Sequence, residues 1–504
     1  MLSSKTIAKN SLFLYFRMFL SMGVGLYTSR VVLNTLGIED FGVYNIVGGI
    51  VVLFGFFNSA MSSATQRFLS FDIGKNDIIQ LNKTFNATLN IHFLIAIIVL
   101  LLAETVGLWF VNYKLNLPED RMIAVNWVYQ FSVLTFLFGI IQVPYNALII
   151  ARERMNVYAY ISIFEVVFKL LIVYILVVVD YDKLKLYAVL LFLIAFCIQL
   201  IEKQYCKKHF EESKYSFYYD KEYTKILLSF SGWSLFGNIA SVARSQGNNI
   251  LLNLFFGTVL NASYGVAMQV QGVVTTFVSN FQMAVNPQII KQYAAGNKEQ
   301  SLKLIYQSSK LSFFIMFLIT CPIIFNVDYV LELWLKNPPS YTSMFVILSL
   351  INILIDTISG PLMIGAQAHG NIKWYQVVIG TLIFLCLPLS YLLLKLYNDP
   401  KLVFYAIIGV NFISLFLRIA FLKHMIKLNI IDFIKNVLLK IIFVVSLFLM
   451  LFYLFINNIE YGSDFMLFVL KSVAIISSNL ILIYFIGINQ MERSFILSFI
   501  KRKI

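Results

Sequence analysis

The sequence is short of charge. Charged residues make up 13% of its 504 residues, about half the share that is usual in soluble domains. Hydrophobic residues make up 60%, and the mean hydropathy is +0.81. No soluble core buries that much apolar surface, so lipid has to surround most of the chain. No long polar stretch is present either, which argues against a separate soluble domain.

Reactive side chains are also scarce. The four cysteines lie in or beside apolar segments, without metal or redox spacing, and are interpreted as packing residues: Cys197, Cys206, Cys321 and Cys386. The four histidines are scattered: His92, His209, His369 and His424. There is no phosphate-cradling glycine loop and no nucleophile motif. We therefore expect no catalytic residue, no metal and no cofactor other than a coupled H⁺ or Na⁺.

Long apolar runs are what the sequence has in abundance. They show no alternation of period two, and backbone groups in hydrocarbon must be satisfied internally, so the runs predict helices. We predict an all-α polytopic membrane protein with about 14 transmembrane helices. Their approximate ranges are 10–33, 41–68, 84–111, 122–150, 156–179, 184–205, 226–256, 263–291, 304–326, 341–367, 374–396, 402–424, 434–457 and 465–487.

Short phrases occur twice along the chain. The matched pairs are Arg30–Asn34 with Asn249–Asn253, Phe41–Val43 with Tyr264–Val266, Gly74–Asn76 with Gly296–Lys298, and Pro144 with Pro361. They predict two six-helix repeats in parallel orientation, as in transporters built from similar halves. The predicted parts are an N-terminal half (1–210), a cytoplasmic linker (211–225), a C-terminal half (226–430), and two extra helices with a basic amphipathic tail (431–504).

The net charge of +14 raises the question of a nucleic-acid partner. The basic residues sit in short segments between apolar runs rather than on one soluble face, so we expect no nucleic acid. Lysine and arginine concentrate in the loops that are inside when the N-terminus is inside, which predicts that both termini are cytoplasmic. Lys5 and Lys9 precede an apolar run that is too long for a cleavable signal.

Ionisable residues inside membrane helices are costly, so each is a candidate functional residue. Arg17 lies in the middle of the first predicted helix, and Arg244 lies deep in the seventh. Arg30 lies near the outer end of the first helix, where it either snorkels outward or lines a cavity. The repeat does not duplicate these charges, because Arg17 aligns with Phe236 and Arg244 with Gly25.

Other deep charges leave two interpretations open. Asp356, in the middle of the tenth predicted helix, is either a structural hydrogen-bonding residue or the site of a coupling ion. Glu165 and Lys169 are four residues apart in the fifth helix, a spacing at which we expect them to neutralise each other.

Polar side chains recur at spacings of three and four along the seventh predicted helix: Ser231, Ser234, Asn238, Ser241, Ser245 and Asn248. This stripe cannot face lipid, so it faces either neighbouring helices, through small residues, or a wet cavity. The adjacent arginine favours a cavity. With two glutamines of the eighth helix, the predicted substrate-binding residues are Arg17, Arg30, Asn238, Ser241, Arg244, Asn248, Gln269 and Gln271.

The segments 10–12, 27–37, 40–49 and 64–69 resemble the start of bacterial polysaccharide-biosynthesis (O-antigen-type) flippases. Leu36-Gly37 followed by Phe41-Gly42 is typical of their multidrug/oligosaccharidyl-lipid/polysaccharide (MOP) exporter superfamily. The resemblance implies a V-shaped MOP/MATE-like bundle in the bacterial inner membrane. It also implies that the chain moves an undecaprenyl-pyrophosphate-linked oligosaccharide to the outer leaflet. Membrane lipids and other polysaccharide-assembly proteins are the further partners expected.

Two other functions remain open at this point. A cation-coupled exporter of organic cations from the same superfamily would need a cavity lined by acids, whereas the deep charges here include two arginines. A membrane glycosyltransferase or glycan polymerase would use acidic residues in an outer loop, where Glu39 and Asp40 lie. Such enzymes usually have a long outer loop, and every predicted outer loop here is short, so we expect no enzymatic activity.

Overall fold

In the computed structural model, all regular secondary structure of the described residues is helical, as predicted. The structure describes residues 2–52, 55–113, 118–456, 464–490 and 492–493. Most of the predicted amphipathic tail therefore lies outside the described residues, as does the side chain of Arg30.

Seventeen α-helices are present in the described residues. They are α1 (Leu2–Val52), α2 (Gly55–Gly74), α3 (Ile78–Leu102), α4 (Leu108–Tyr113), α5 (Met122–Ala151), α6 (Met155–Val178), α7 (Lys183–His209), α8 (Lys221–Phe256), α9 (Thr258–Ala294), α10 (Lys298–Phe325), α11 (Val327–Leu335), α12 (Thr342–His369), α13 (Lys373–Tyr397), α14 (Leu402–Ile426), α15 (Ile430–Phe433), α16 (Leu439–Leu451) and α17 (Asp464–Leu482). π-Helical turns join α3 to α4 and α15 to α16, and further π-helical turns follow α16 and α17.

Eleven of the described helical stretches are long and apolar enough to cross a membrane. The chain is therefore a multi-pass membrane protein. The three other predicted spans, at 10–33, 41–68 and 263–291, fall on α1, α2 and α9.

The sequence repeat reappears in the backbone, at three pairs of helix breaks with positive φ. Gly37 interrupts α1 with a φ of 79°, and Gly257 separates α8 from α9 with a φ of 76°. Asn76 (57°) and Gly296 (83°) end α2 and α9, and Glu153 (59°) and Gly370 (94°) end α5 and α12. Glycine and asparagine tolerate this left-handed region best. The Leu36-Gly37 motif therefore marks a point at which the helix is interrupted.

The chain divides into two compact units. Unit 1 comprises Met1–Asn238 together with Ile290–Asn297, and unit 2 comprises Ile239–Ile289 together with Lys298–Ile504. The predicted boundaries of the two halves and the linker stay a prediction.

The core of unit 1 lies where α5 packs against α3 and α7. Tyr129 on α5 is fully buried, and its hydroxyl donates a hydrogen bond of 2.6 Å to the carbonyl oxygen of Ala103 in the π-helical turn. A Cβ atom on Gly107 would lie 2.1 Å from that hydroxyl, so only glycine fits. The core of unit 2 is formed largely by α12 and α14, where the rings of Phe345 and Phe404 lie 4.8 Å apart.

Arg121 connects three elements of unit 1. It donates two hydrogen bonds to Asp40 on α1, through Nε at 3.0 Å and Nη2 at 2.6 Å. It donates two more, of 3.1 and 3.2 Å, to Asp182, which caps α7. The Asp40 carboxylate is thus fully engaged by a planar bidentate donor, which is a structural role.

The start of the predicted linker (211–225) is held by contacts with α3 and with the residue after α5. Glu212 is 3% exposed, and its Oε1 accepts hydrogen bonds of 2.8 and 2.5 Å from Arg152, just after α5. The backbone oxygen of Glu212 accepts a further bond from Asn82 on α3. An extended stretch follows to the start of α8 at Lys221.

Candidate functional site

A chain of hydrogen bonds crosses three helices of unit 2 at Arg244. The Nη1 atom of Arg244 on α8 donates to Asn411 Oδ1 on α14 at 2.7 Å. Asn411 Nδ2 donates in turn to Asn352 Oδ1 on α12, also at 2.7 Å. Both asparagines are buried, at 5% and 6% exposure. Each residue lies well inside its helix, so the chain is deep in the bundle.

The partner of Arg244 is neutral. No ion pair among the described residues includes Arg244. An amide oxygen orients a guanidinium without cancelling its charge, so Arg244 keeps its positive charge. A guanidinium suits phosphate because its planar donors bind two oxygens at once.

The polar stripe of α8 is its covered face. Ser231, Ser234 and Asn248 are buried, and Asn238 and Ser241 are half-buried. The opposite face is apolar and open, and its exposed residues include Val242, Ile250 and Leu254. Helix α8 therefore presents apolar side chains where lipid is available and polar ones where protein surrounds it, as the periodicity predicts.

Asn248 belongs to the same environment as Arg244. Its side chain is fully buried, and Nδ2 lies 4.0 Å from Cys386 Sγ on α13. Its Oδ1 has no hydrogen-bond donor among the described residues. Tyr264 on α9 donates a hydrogen bond of 3.1 Å to the Ser245 carbonyl oxygen, which fixes α9 against this stretch of α8.

Asp356 is exposed on α12, four residues after Asn352. This spacing places both side chains on one helix face. The carboxylate is thus one turn from the end of the Arg244–Asn411–Asn352 chain, while no described ion pair involves it. Its predicted role as a coupling-ion site stays a prediction.

Arg418 is buried, at 9% exposure, although it lies within the last three turns of α14. Its Nη1 donates to the Tyr375 hydroxyl on α13, and its guanidinium carbon lies 5.5 Å from that ring. The aromatic partner offers an alternative to water, which a sequence pattern does not reveal.

The deep charges of unit 1 pair with neighbours on α6. The guanidinium carbon of Arg17 on α1 lies 4.9 Å from the ring centroid of Tyr158. Glu165 Oε1 accepts a hydrogen bond of 2.6 Å from Lys169 Nζ, so the predicted self-neutralising pair is present. Both members are more than one-third exposed, at 38% and 46%.

The two glutamines that the sequence predicts to bind substrate are not buried in the structure. Gln269 on α9 is exposed and Gln271 is half-buried. A glutamine that the site prediction omitted, Gln282, is more fully engaged: its Nε2 donates to Ser312 Oγ at 3.1 Å and to the Thr357 carbonyl oxygen at 3.3 Å. Gly360 allows this approach, because a Cβ atom there would lie 2.7 Å from the Gln282 amide.

A second polar cluster lies at one end of unit 1 and was not predicted. Thr84 on α3 donates to Asp72 Oδ2 on α2, and its hydroxyl lies 2.6 Å from the hydroxyl of Tyr223 on α8. Arg67 on α2 is 6% exposed, and its guanidinium carbon lies 4.6 Å from the Phe71 ring centroid. Apolar and polar residues alternate near the end of α2, and this pattern does not predict that Arg67 is buried.

Comparison with known proteins gives a fold but no family. No protein-family model matches the sequence, and no curated protein matches it. Solved structures do match. A multidrug resistance MATE family transporter of the MOP superfamily, in an outward-facing conformation, superposes with a TM-score of 0.69 at 12% identity, over 84% of this chain and 96% of that one. The chain has the same fold as this MATE transporter.

Other MATE-fold structures match equally well. A MATE protein in a bent conformation matches with a TM-score of 0.68 at 14% identity, over 84% of this chain and 96% of that one. A MOP superfamily transporter from Pyrococcus furiosus matches with a TM-score of 0.67 at 13% identity and the same coverage. The reverse polarity of its binding pocket suggests that this transporter has a different function. The polarity of the pocket, rather than the fold, therefore has to decide the substrate.

Proposed function

We propose that this protein is a flippase that carries an undecaprenyl-pyrophosphate-linked oligosaccharide from the inner to the outer leaflet by alternating access. The repeat unit belongs to O antigen, capsule or exopolysaccharide, and the membrane is the bacterial inner membrane with both termini cytoplasmic. The pyrophosphate is strongly anionic and the glycan is rich in hydroxyls. Such a substrate requires fixed cations next to many polar side chains.

One observation carries this proposal: Arg244 lies deep in a membrane helix and is oriented by a neutral amide. A charge in that position is energetically costly, and a residue that is kept there at such a cost is a functional candidate. Arg17 on α1 is the other deep arginine that the sequence predicts to bind substrate. Of the polar residues predicted on α8, Asn238 and Ser241 are half-buried, and we assign the glycan contacts to these two.

An exporter of organic cations is the second candidate, and Asp356 is the observation that favours it. Its carboxylate is exposed on α12 and is not part of a described ion pair. A cation would be attracted to Asp356 and repelled by Arg244, so the two candidates predict opposite effects of the same substitutions. Efflux of cationic dyes that depends on Asp356 and improves in Arg244→Gln would favour the exporter.

A test in cells uses Arg244→Ala. We expect the variant to be made and inserted normally but to lose surface glycan, with the lipid-linked precursor retained at the inner leaflet. Lys336→Ala serves as the matched control, because Lys336 is an exposed cation at the end of α11 that contacts none of the site residues named above. Normal surface glycan in a stably expressed Arg244→Ala strain would exclude the proposed role of this residue.

A further inference from the structure

A separate cavity lies at one end of unit 2. Its volume is about 320 Å³. Its walls come from the first half of α10, the turn after α14, the start of α15, and the residues Asn489 and Glu492. Helix α10 begins at Lys298, α14 ends at Ile426, and the π-helical turn after α17 ends at Gly487. Because three membrane helices begin or end beside it, the cavity opens at a membrane boundary.

The charged lining of the cavity is balanced. Three lysines and three acids contribute: Lys303, Lys310, Lys427, Glu299, Asp432 and Glu492. A site for a simple anion would carry an excess of basic groups, and a site for a cation would carry an excess of acids. Equal numbers of both fit a ligand that bears one group of each sign.

Lys310 and Glu492 form the buried floor. Lys310 is 2% exposed, and its Nζ lies 2.8 Å from Glu492 Oε2, which also accepts a bond of 2.7 Å from the Asn489 backbone N–H. The side chain of Glu492 is 10% exposed. Its second oxygen, Oε1, is buried and has no donor among the described residues. An unsatisfied buried carboxylate oxygen is unfavourable, so the floor of the cavity lacks a hydrogen-bond donor.

The rim is well ordered by its own contacts. Asn429 caps α15 by accepting bonds from the backbone N–H groups of Ile431 and Asp432. The Tyr306 hydroxyl on α10 donates to the Asn429 carbonyl oxygen at 3.3 Å. Lys427 is held in the left-handed region, with a φ of 59°, at the C-terminal end of α14. The rim lysine is therefore set by a backbone turn rather than by a flexible loop.

We propose that this cavity binds a phosphoethanolamine group, with the ammonium paired with the Glu492 carboxylate and the phosphate held by Lys427 and Lys303. The position at the ends of membrane helices makes a phosphatidylethanolamine headgroup the source that the structure favours. Phosphatidylcholine carries the same charges, but its trimethylammonium has no N–H to donate to Glu492. Phosphatidylglycerol has the phosphate but no cation. The site therefore distinguishes three lipids that differ only in the headgroup.

Native mass spectrometry of the full-length protein, titrated with the three lipids bearing identical acyl chains, tests the proposal. We expect one phosphatidylethanolamine to bind at least about fivefold more tightly than the other two. Lys427→Asn removes the phosphate ligand, while asparagine still tolerates the left-handed backbone. This variant should abolish the preference. Lys336→Asn is the matched control, because Lys336 is also an exposed lysine at a helix end, with a φ of 61°, and it should bind as the wild type does.

One further variant and one displacement experiment distinguish a lipid headgroup from a soluble ligand and test the role of Glu492. Glu492→Gln should reduce the preference for phosphatidylethanolamine over phosphatidylcholine, because the carboxylate that pairs with the ammonium is lost. Displacement of the bound lipid by soluble O-phosphoethanolamine at millimolar concentration would assign the same chemistry to a soluble molecule, and its failure to displace would assign the site to lipid. Equal binding of the three lipids, or an unchanged preference in Lys427→Asn, would overturn the proposal.

Discussion

Arg244 Nη1 lies 2.7 Å from Asn411 Oδ1, and this contact orients a cation deep in the membrane without neutralising it. Asparagine and aspartate have nearly the same shape, so Asn411 is the position at which the charge of the site can be changed with little change in packing. A carboxylate there would form the internal ion pair that the wild-type structure lacks.

Asn411→Asp should therefore disable transport while preserving the fold. The new carboxylate pairs with Arg244 and competes with the substrate phosphate. We expect the transport rate to fall by about tenfold or more, which corresponds to a barrier higher by about 1.4 kcal/mol. The rate is measured in reconstituted vesicles, alongside the thermal stability of the purified variant.

Asn411→Ala is the control for that substitution, because it removes the amide and adds no charge. Arg244 keeps its positive charge in this variant, so most of the transport activity should remain. Equal losses in Asn411→Asp and Asn411→Ala would show that the hydrogen bond matters and the charge does not.

Asp356→Asn separates ion coupling from structure. If Asp356 binds the coupling ion, the variant should move substrate down its own gradient but should lose its response to an imposed H⁺ or Na⁺ gradient. The change is nearly isosteric, and Asp356 is exposed, so stability should change little. A full response to the ion gradient in Asp356→Asn would remove this residue from the coupling mechanism.

The sequence predicted the helices better than it predicted the side-chain contacts between them. The range 122–150 was predicted to be a helix, and the observed helix is Met122–Ala151. The prediction succeeds because the backbone groups of a long apolar run in lipid form their hydrogen bonds within a helix. The repeated glycines likewise mark breaks at Gly37 and Gly257. Nothing in the sequence pairs Arg244 with Asn411, which is 167 positions away. An asparagine inside an apolar run gives no sign of which helix it will meet.

Acid should destabilise the ion-pair network that Arg121 forms with Asp40 and Asp182 in unit 1. Burial alone would raise the pKa of Asp182, but hydrogen bonds from Arg121 and from the Lys185 backbone outweigh it and lower that pKa below its usual value. A lowered folded-state pKa means that the carboxylate stabilises the fold above its unfolded-state pKa, and that this contribution disappears as the pH falls through the folded-state pKa. Melting temperatures should therefore drop below about pH 4.

Asp182→Asn should flatten that acidic part of the profile, because the variant has no carboxylate to protonate. Asp180→Asn, two residues away at an exposed position, should follow the wild-type curve. Identical curves for all three proteins between about pH 3 and pH 5 would show that this network does not contribute to acid sensitivity.

Gly74→Ala tests the close packing at the end of α2. A Cβ atom at Gly74 would lie 2.6 Å from the Lys291 carbonyl oxygen and 2.7 Å from its Cα atom, and both are backbone atoms that cannot rotate away. Overpacking of this kind costs about 1–3 kcal/mol, so the melting temperature should fall.

Gly139→Ala is the comparison, because Gly139 lies inside α5 with no atom near the added methyl group. Alanine is the better helix former, so this variant should be neutral or slightly more stable. A Gly74→Ala protein as stable as Gly139→Ala would mean that α2 and residues 290–297 do not pack closely in the membrane.

Reconstitution in sealed vesicles tests the flippase proposal most directly. Purified protein is combined with undecaprenyl-pyrophosphate-linked oligosaccharides, and arrival at the opposite leaflet is measured with an impermeant glycan-modifying enzyme. The account predicts movement by the wild type, much slower movement by Asn411→Asp, and none by Arg244→Ala. It would be contradicted if no lipid-linked oligosaccharide moved in vesicles where the same protein transports organic cations, or if Arg244→Ala flipped the substrate at the wild-type rate.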